Sequence, residues 1–320
     1  MTGTPEPTPL TEAAGVVEAA RAAEMVEVVE YTDPLCPWAW GSEPVFRALR
    51  AALAGRVHWR RAYAILFDDG DDAPPDPAAE TAWYARYVEE VGSHTLAPRA
   101  VRLSRMPAGS WPASLVAKAA ALQGETVAER VLRRLRETVF VLGEPADTTE
   151  WALSAVRGVP GLDPWRLAAD AASGAVLEQV RADRLEARRP VAEVLAARDG
   201  SPRPGRSPHP GAAKETAEGG YRYALPTLLV RTPGKYRVVP GWRPFAEYAA
   251  AVEALGPGPL PVPAPLSPAD ALEHYRSLTD PERRLLARGP WPPPCAVRLD
   301  TASGPVWLHP DEAATHPATR

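Results

Sequence analysis

The strongest constraint in this 320-residue chain is a junction where a strand-like run ends one short loop before a cysteine–proline pair. Residues 26–31 (VEVVEY) alternate and are rich in β-branched side chains, which predicts a strand. Residues 32–35 (TDPL) form a short loop. Pro37 suits the first turn of a helix, where a missing N–H costs nothing, so Cys36 is predicted at a helix N-terminus. Unpaired N–H groups and the helix dipole there favour a thiolate, and a thiol of pKa ~8.5 can drop to roughly 3.5–7.5. The structural alternative is a buried small hydrophobe, as most intracellular cysteines are. Placement directly before Pro37, after a strand and a loop, favours a functional thiol.

Val45, Leu49 and Leu53 recur at helical spacing with Phe46 beside them, and Pro44 inside that pattern predicts a kink. Residues 56–66 (RVHWRRAYAIL) alternate enough for a second strand. Together these make a right-handed β-α-β unit with parallel strands. An acidic, Pro-rich loop follows at residues 68–77. Three apolar stripes at helical spacing come next: Trp83, Tyr84, Tyr87, Val88 and Val91; then Leu115, Val116 and Leu122; then Val127, Val131, Leu135 and Val139. Each reads as core. Shorter helices are expected near residues 149–156, 164–172 and 176–188. Residues 199–211 are loop, and His209 within them reads as a loop residue. Pro226 opens a strand at residues 227–230, Pro233-Gly234 turns into a further strand, and a helix carries Phe245, Tyr248 and Val252.

The wording around Cys36, together with Leu225-Pro226-Thr227 and the order of elements, resembles the DsbA-like branch of the thioredoxin superfamily. That branch includes FrnE-type and mycothiol-linked oxidoreductases, 2-hydroxychromene-2-carboxylate isomerases and protease adaptors. The resemblance covers about residues 25–255 and implies a thioredoxin fold with an all-helical insertion near residues 77–190. It implies that Pro226 is a cis-proline facing Cys36. It also implies that Pro37, Trp38, Leu225, Pro226 and Thr227 shape the substrate surface. Residues 1–24 are expected to be a mobile leader. Residues 256–268 read as a Pro-rich linker, and residues 269–320 as a small C-terminal α+β appendage whose two helices and hairpin are compatible with a winged-helix-like module, with Cys295 as a strand residue.

The usual motif of this branch is Cys-x-x-Cys, and here Ala39 takes the second position. A monothiol mechanism at Cys36 is therefore expected, with a protein or small-molecule disulfide as substrate and a low-molecular-weight thiol resolving the mixed disulfide. Lysine occurs only at Lys118, Lys214 and Lys235, and with 38 prolines this suggests a high-GC genome. Mycothiol, or otherwise glutathione, is then the expected co-substrate, and no tightly bound cofactor is expected. The alternatives are a redox-inactive peptide-binding adaptor and a thiol-dependent isomerase or transferase. Asp33 reads as a turn former, with proton shuttling as the sharper alternative. Trp40 reads as a packing residue. A net charge of −4 argues against nucleic acid as the main partner. The absence of a signal sequence or an apolar span leads to a cytoplasmic expectation without a membrane partner. The histidines and cysteines show no metal-ligand spacing.

Overall fold

A computed structural model of the chain describes residues 26–68, 76–197, 211–256, 258–261 and 264–319. The expected leader and the stretch containing His209 lie outside the described residues. A four-stranded sheet runs in the order β2-β1-β5-β6, built from β1 (Val26–Thr32), β2 (Val57–Tyr63), β5 (Thr227–Thr232) and β6 (Lys235–Pro240). β1 and β2 are parallel, whereas β5 is antiparallel to both β1 and β6. Strand β2 is shorter at both ends than its alternation suggests. Gly234 sits at φ +76° in the β5–β6 turn, a conformation that excludes most side chains.

Period-2 alternation sends Val28 and Val29 to opposite faces of the sheet. Val26, Val28, Leu228 and Val230 pack on Phe46, Leu49 and Leu53 of helix α1 (Pro37–Leu53), which runs on through Pro44. Tyr248 and Val252 of helix α9 (Phe245–Glu253) complete that layer. Val29, Tyr31 and Leu229 face the other way, towards Cys36, Tyr223 and Leu225. The insertion comprises α2 (Pro77–Thr95), α3 (Trp111–Ala121), α4 (Glu125–Phe140), α5 (Thr149–Ala155), α6 (Pro164–Ala171), α7 (Gly174–Ala187) and α8 (Ala192–Ala196). Val116, Val131, Leu135, Leu167 and Val176 share one of its cores. A small hairpin, β3 (Lys214–Glu215) with β4 (Tyr221–Arg222), then leads back to the sheet.

Beyond the sheet, α10 (Pro268–Tyr275), β7 (Ser277–Thr279), α11 (Asp280–Leu286), β8 (Val297–Leu299), β9 (Val306–Leu308) and α12 (Pro310–Thr315) surround a three-stranded sheet ordered β7-β9-β8. Cys295 lies in an exposed turn just before β8, not within the strand as the apolar run suggests.

This C-terminal segment is seated on α1 and α4 by buried ion pairs. Glu282 accepts from Arg133 Nη1 and Nη2 at 2.7 and 3.0 Å and from Arg47 Nη1 at 3.1 Å. Its second oxygen also accepts from the Thr279 backbone N–H at 2.7 Å, closing a capping box. Arg134 Nε donates to Glu312 at 2.8 Å, and His316 meets Glu137 at 3.2 Å. Burial alone would push Glu137 up, but Arg133 and His316 hold it well below the usual carboxylate range. Substitution Glu282→Ala leaves Arg133 to Glu137 and Arg47 to Glu43 as their remaining buried counter-charges, and is expected to cost about 3 kcal/mol. Urea unfolding measures this, and a loss under about 1 kcal/mol would contradict it.

Candidate functional site

The loop between β1 and α1 is fixed from beneath by Asp33, which is fully buried. Its Oδ1 accepts from the Leu35 N–H at 2.8 Å and from the Ser110 hydroxyl at 3.0 Å. Its Oδ2 accepts from the Leu66 N–H at 2.7 Å. One carboxylate thus joins the end of β1, the chain after β2 and the start of α3. Asp33 is therefore more than the turn former expected. Burial pushes its pKa up to about 6, against the three hydrogen bonds and Arg222, which pull it down.

Above this floor Cys36 is the N-cap of α1, with Pro37 in the first turn. Cys36 is 4% exposed. Its Sγ lies 3.8 Å from the Leu225 carbonyl oxygen, where the thiol can donate. Leu225–Pro226 is a cis peptide, and the Pro226 carbonyl accepts from the Gly241 N–H at 2.8 Å. Thr227 opens β5 fully buried, its hydroxyl donating to the Ala224 carbonyl at 2.6 Å. Cys36, Trp38 and Leu225 therefore meet in one cluster, while Thr227 braces the loop from inside.

Burial pushes the Cys36 thiol up to about 11, and the neighbouring Asp33 adds to this. The N–H groups of Ala39 and Trp38, followed by Arg222, act in the opposite direction. The helix start therefore behaves as the sequence implies, but it is outweighed. The expectation of a depressed thiol fails because desolvation penalises the thiolate more than two N–H groups favour it.

The cover over the thiol is aromatic. Trp38 Nε1 donates to Tyr87 Oη at 2.7 Å, and the Trp38 ring stacks on His94 at 6.3 Å. Tyr84, also from α2, donates to the Leu35 carbonyl at 2.7 Å. Trp40 points away: Nε1 donates to the Pro98 carbonyl at 2.8 Å, and Arg133 lies 4.5 Å above the ring. That is the packing role the sequence suggests. Arg222 escapes notice in the sequence because it sits in a two-residue strand without periodicity.

Cys36 and Cys295 are both free thiols. Ala296, next to Cys295, packs with Ala48 and Leu272, in a different cluster from Cys36. Among the described residues no group of three or more His, Cys, Asp or Glu is placed to hold a metal ion. No described helix is long and apolar enough to cross a membrane.

Asp33 also sets a pH dependence. Its folded pKa of about 6 exceeds the ordinary 3.8, so the native state holds this proton more tightly than the unfolded chain. The stability this contributes is complete below about pH 4 and is lost as pH rises through about 6. Between about pH 4.5 and 7.5 the wild type should lose about 2 kcal/mol that Asp33→Asn does not lose. Urea unfolding of both proteins at the two pH values tests this, and parallel stabilities would contradict it.

Residues 30–188 match a family model described as Thioredoxin. Over 169 residues the chain is 31% identical to the ClpXP adapter protein SpxH of Shouchella clausii (strain KSM-K16), a match covering 52% of this chain and 54% of that protein. The chain thus spans about half the length of the curated relative it matches. Among solved structures, a candidate protein disulfide isomerase from Nitrosomonas europaea aligns with a TM-score of 0.53 at 15% identity, covering 72% of this chain and 97% of that one. The cytosolic disulfide reductase DsbM from Pseudomonas aeruginosa aligns with a TM-score of 0.46 at 16% identity, covering 72% and 94%. The sheet order, the family match and the Nitrosomonas europaea structure agree: this chain has the thioredoxin fold, interrupted by an all-helical insertion.

Proposed function

We propose that the protein is a thiol–disulfide oxidoreductase of DsbA-like type that works through Cys36 alone. The observation that carries this reading is the position of Cys36 as the N-cap residue of α1, with Sγ facing the Leu225 carbonyl. In this reaction the Cys36 thiolate attacks a substrate disulfide, forming a mixed disulfide and expelling the other sulfur as a thiolate. A low-molecular-weight thiol, mycothiol or glutathione, then attacks that mixed disulfide as its thiolate. It frees Cys36 and leaves the substrate joined to the small thiol. Ala39 makes the external thiol necessary, because it replaces the sulfur that would otherwise resolve the intermediate. The resting thiol is protonated, so before the attack it leaves its contact with the Leu225 carbonyl and releases its proton to solvent.

A second reading is favoured by the upward shift of Cys36 and by the adapter relative. A thiol of pKa about 11 is about one part in ten thousand ionised at pH 7, against a few per cent for an ordinary thiol. In that reading the same surface binds an extended peptide without redox chemistry.

The two readings part in a Cys295→Ser background, where Cys36 is the remaining thiol. Exchange predicts a mixed disulfide on Cys36 by mass spectrometry after exposure to oxidised glutathione or mycothiol, released by the free thiol. Absence of any adduct, with alkylation showing that the Cys36 thiol is accessible, would overturn the exchange reading and leave the binding module.

A further inference from the structure

The hairpin that leads into the Cys36 site carries an electrostatic oddity. Its register sets Lys214 directly opposite Arg222. Side chains facing each other across an antiparallel pair lie on the same side, and like charges there repel. Lys214 is exposed on the hairpin, yet partial desolvation and then Arg222 push its pKa down, and burial does the same to Arg222. Such a pair normally recruits a carboxylate, but none of the described carboxylates forms a salt bridge with either side chain. Arg222 Nη1 donates only to the Tyr223 carbonyl, at 3.0 Å. The hairpin's own Glu218 is committed to Arg184 and Arg188. Asp33 lies within the field of Arg222 but is sealed in the floor by its three donors.

The position of the pair gives it meaning. Tyr223, the residue after Arg222, packs in the same cluster as Cys36 and Trp38, and two residues later Leu225 presents its carbonyl to the thiol. We propose that Lys214 and Arg222 form an anion-recognition element for the Cys36 site. It would receive a carboxylate of a small, acidic disulfide whose sulfur is presented to Cys36. This rests on the exchange reading above and names its substrate class. The bonds made and broken are those given there; the two cations only position the incoming disulfide. A carboxylate between them converts a repulsive pair into two charge-assisted contacts, whereas a cationic disulfide adds a third positive charge.

The test compares two disulfides of opposite charge, glutathione disulfide and cystamine, reacting with Cys36 in the Cys295→Ser chain. Lys214→Gln is the informative substitution, since Arg222 also acts on the thiol itself. The rate ratio of glutathione disulfide to cystamine should exceed one and fall about tenfold in Lys214→Gln, with a similar fall at high salt. An unchanged ratio would overturn the inference while leaving exchange at Cys36 intact. Failure of Cys36 to react with either disulfide would instead overturn the exchange reading. The anion site is then read separately, by calorimetric titration of glutathione disulfide into Cys36→Ser. Binding that weakens about tenfold in Lys214→Gln supports the element, and absence of binding overturns it.

Discussion

Three arginines on one helix, Arg133, Arg134 and Arg136, are buried, and each finds its counter-charge on a different part of the chain. Arg136 reaches Glu43 of α1 and donates to the Thr32 hydroxyl at the end of β1, at 2.7 Å. Arg133 holds Glu282, and Arg134 holds Glu312. Sheet, first helix and C-terminal segment are therefore tied to α4 by charge as much as by apolar contact. Burial would push Glu43 up, yet Arg50, Arg136 and Arg47 hold it well below the usual carboxylate range. A buried charge is tolerated only when paired and hydrogen-bonded, so the geometry of this network leaves little freedom in how these elements seat. Because α1 carries Cys36 at its first turn, the network also sets where the thiol stands.

At the site two opposing demands meet. The helix start and Arg222 favour a charged sulfur, while desolvation, the floor carboxylate Asp33 and the aromatic cover oppose it. The cover is itself hydrogen-bonded, through Trp38 and Tyr87, so it is a defined layer and not loose packing. The same residues that protect the thiol from water are those a bound substrate would touch.

Much of this was legible in the sequence. Alternation in residues 26–31, the helical spacing of Val45, Leu49 and Leu53, and the stripe Val127, Val131, Leu135 and Val139 all mark residues that are buried or nearly so. These features are local, and side-chain period reports them directly. Partnerships made across the fold were not legible. Beyond their own helix, Arg133, Arg134 and Arg136 find carboxylates more than ninety residues away, and such partners carry no local signature. Asp33 resembles any turn aspartate until Leu66 and Ser110 are brought to it. The depressed thiol expected from a helix N-terminus was a statement about local dipoles. Burial, which reversed it, is a property of the whole fold.

The docking of the C-terminal segment has a bearing on how the protein is made. Arg47 and Glu282 are separated by 235 positions in the chain, and Arg134 and Glu312 by 178. During synthesis from the N-terminus, α1 and α4 leave the ribosome long before Glu282 and Glu312. The thioredoxin unit can collapse at that stage with Arg136 on Glu43 and Arg133 on Glu137, but Arg134 has no counter-charge among the acids described in it and stays hydrated. The contact of Arg47, on the helix that carries Cys36, with Glu282 therefore waits for α11 to emerge. Full seating of that helix is in this sense a late event in the life of the nascent chain.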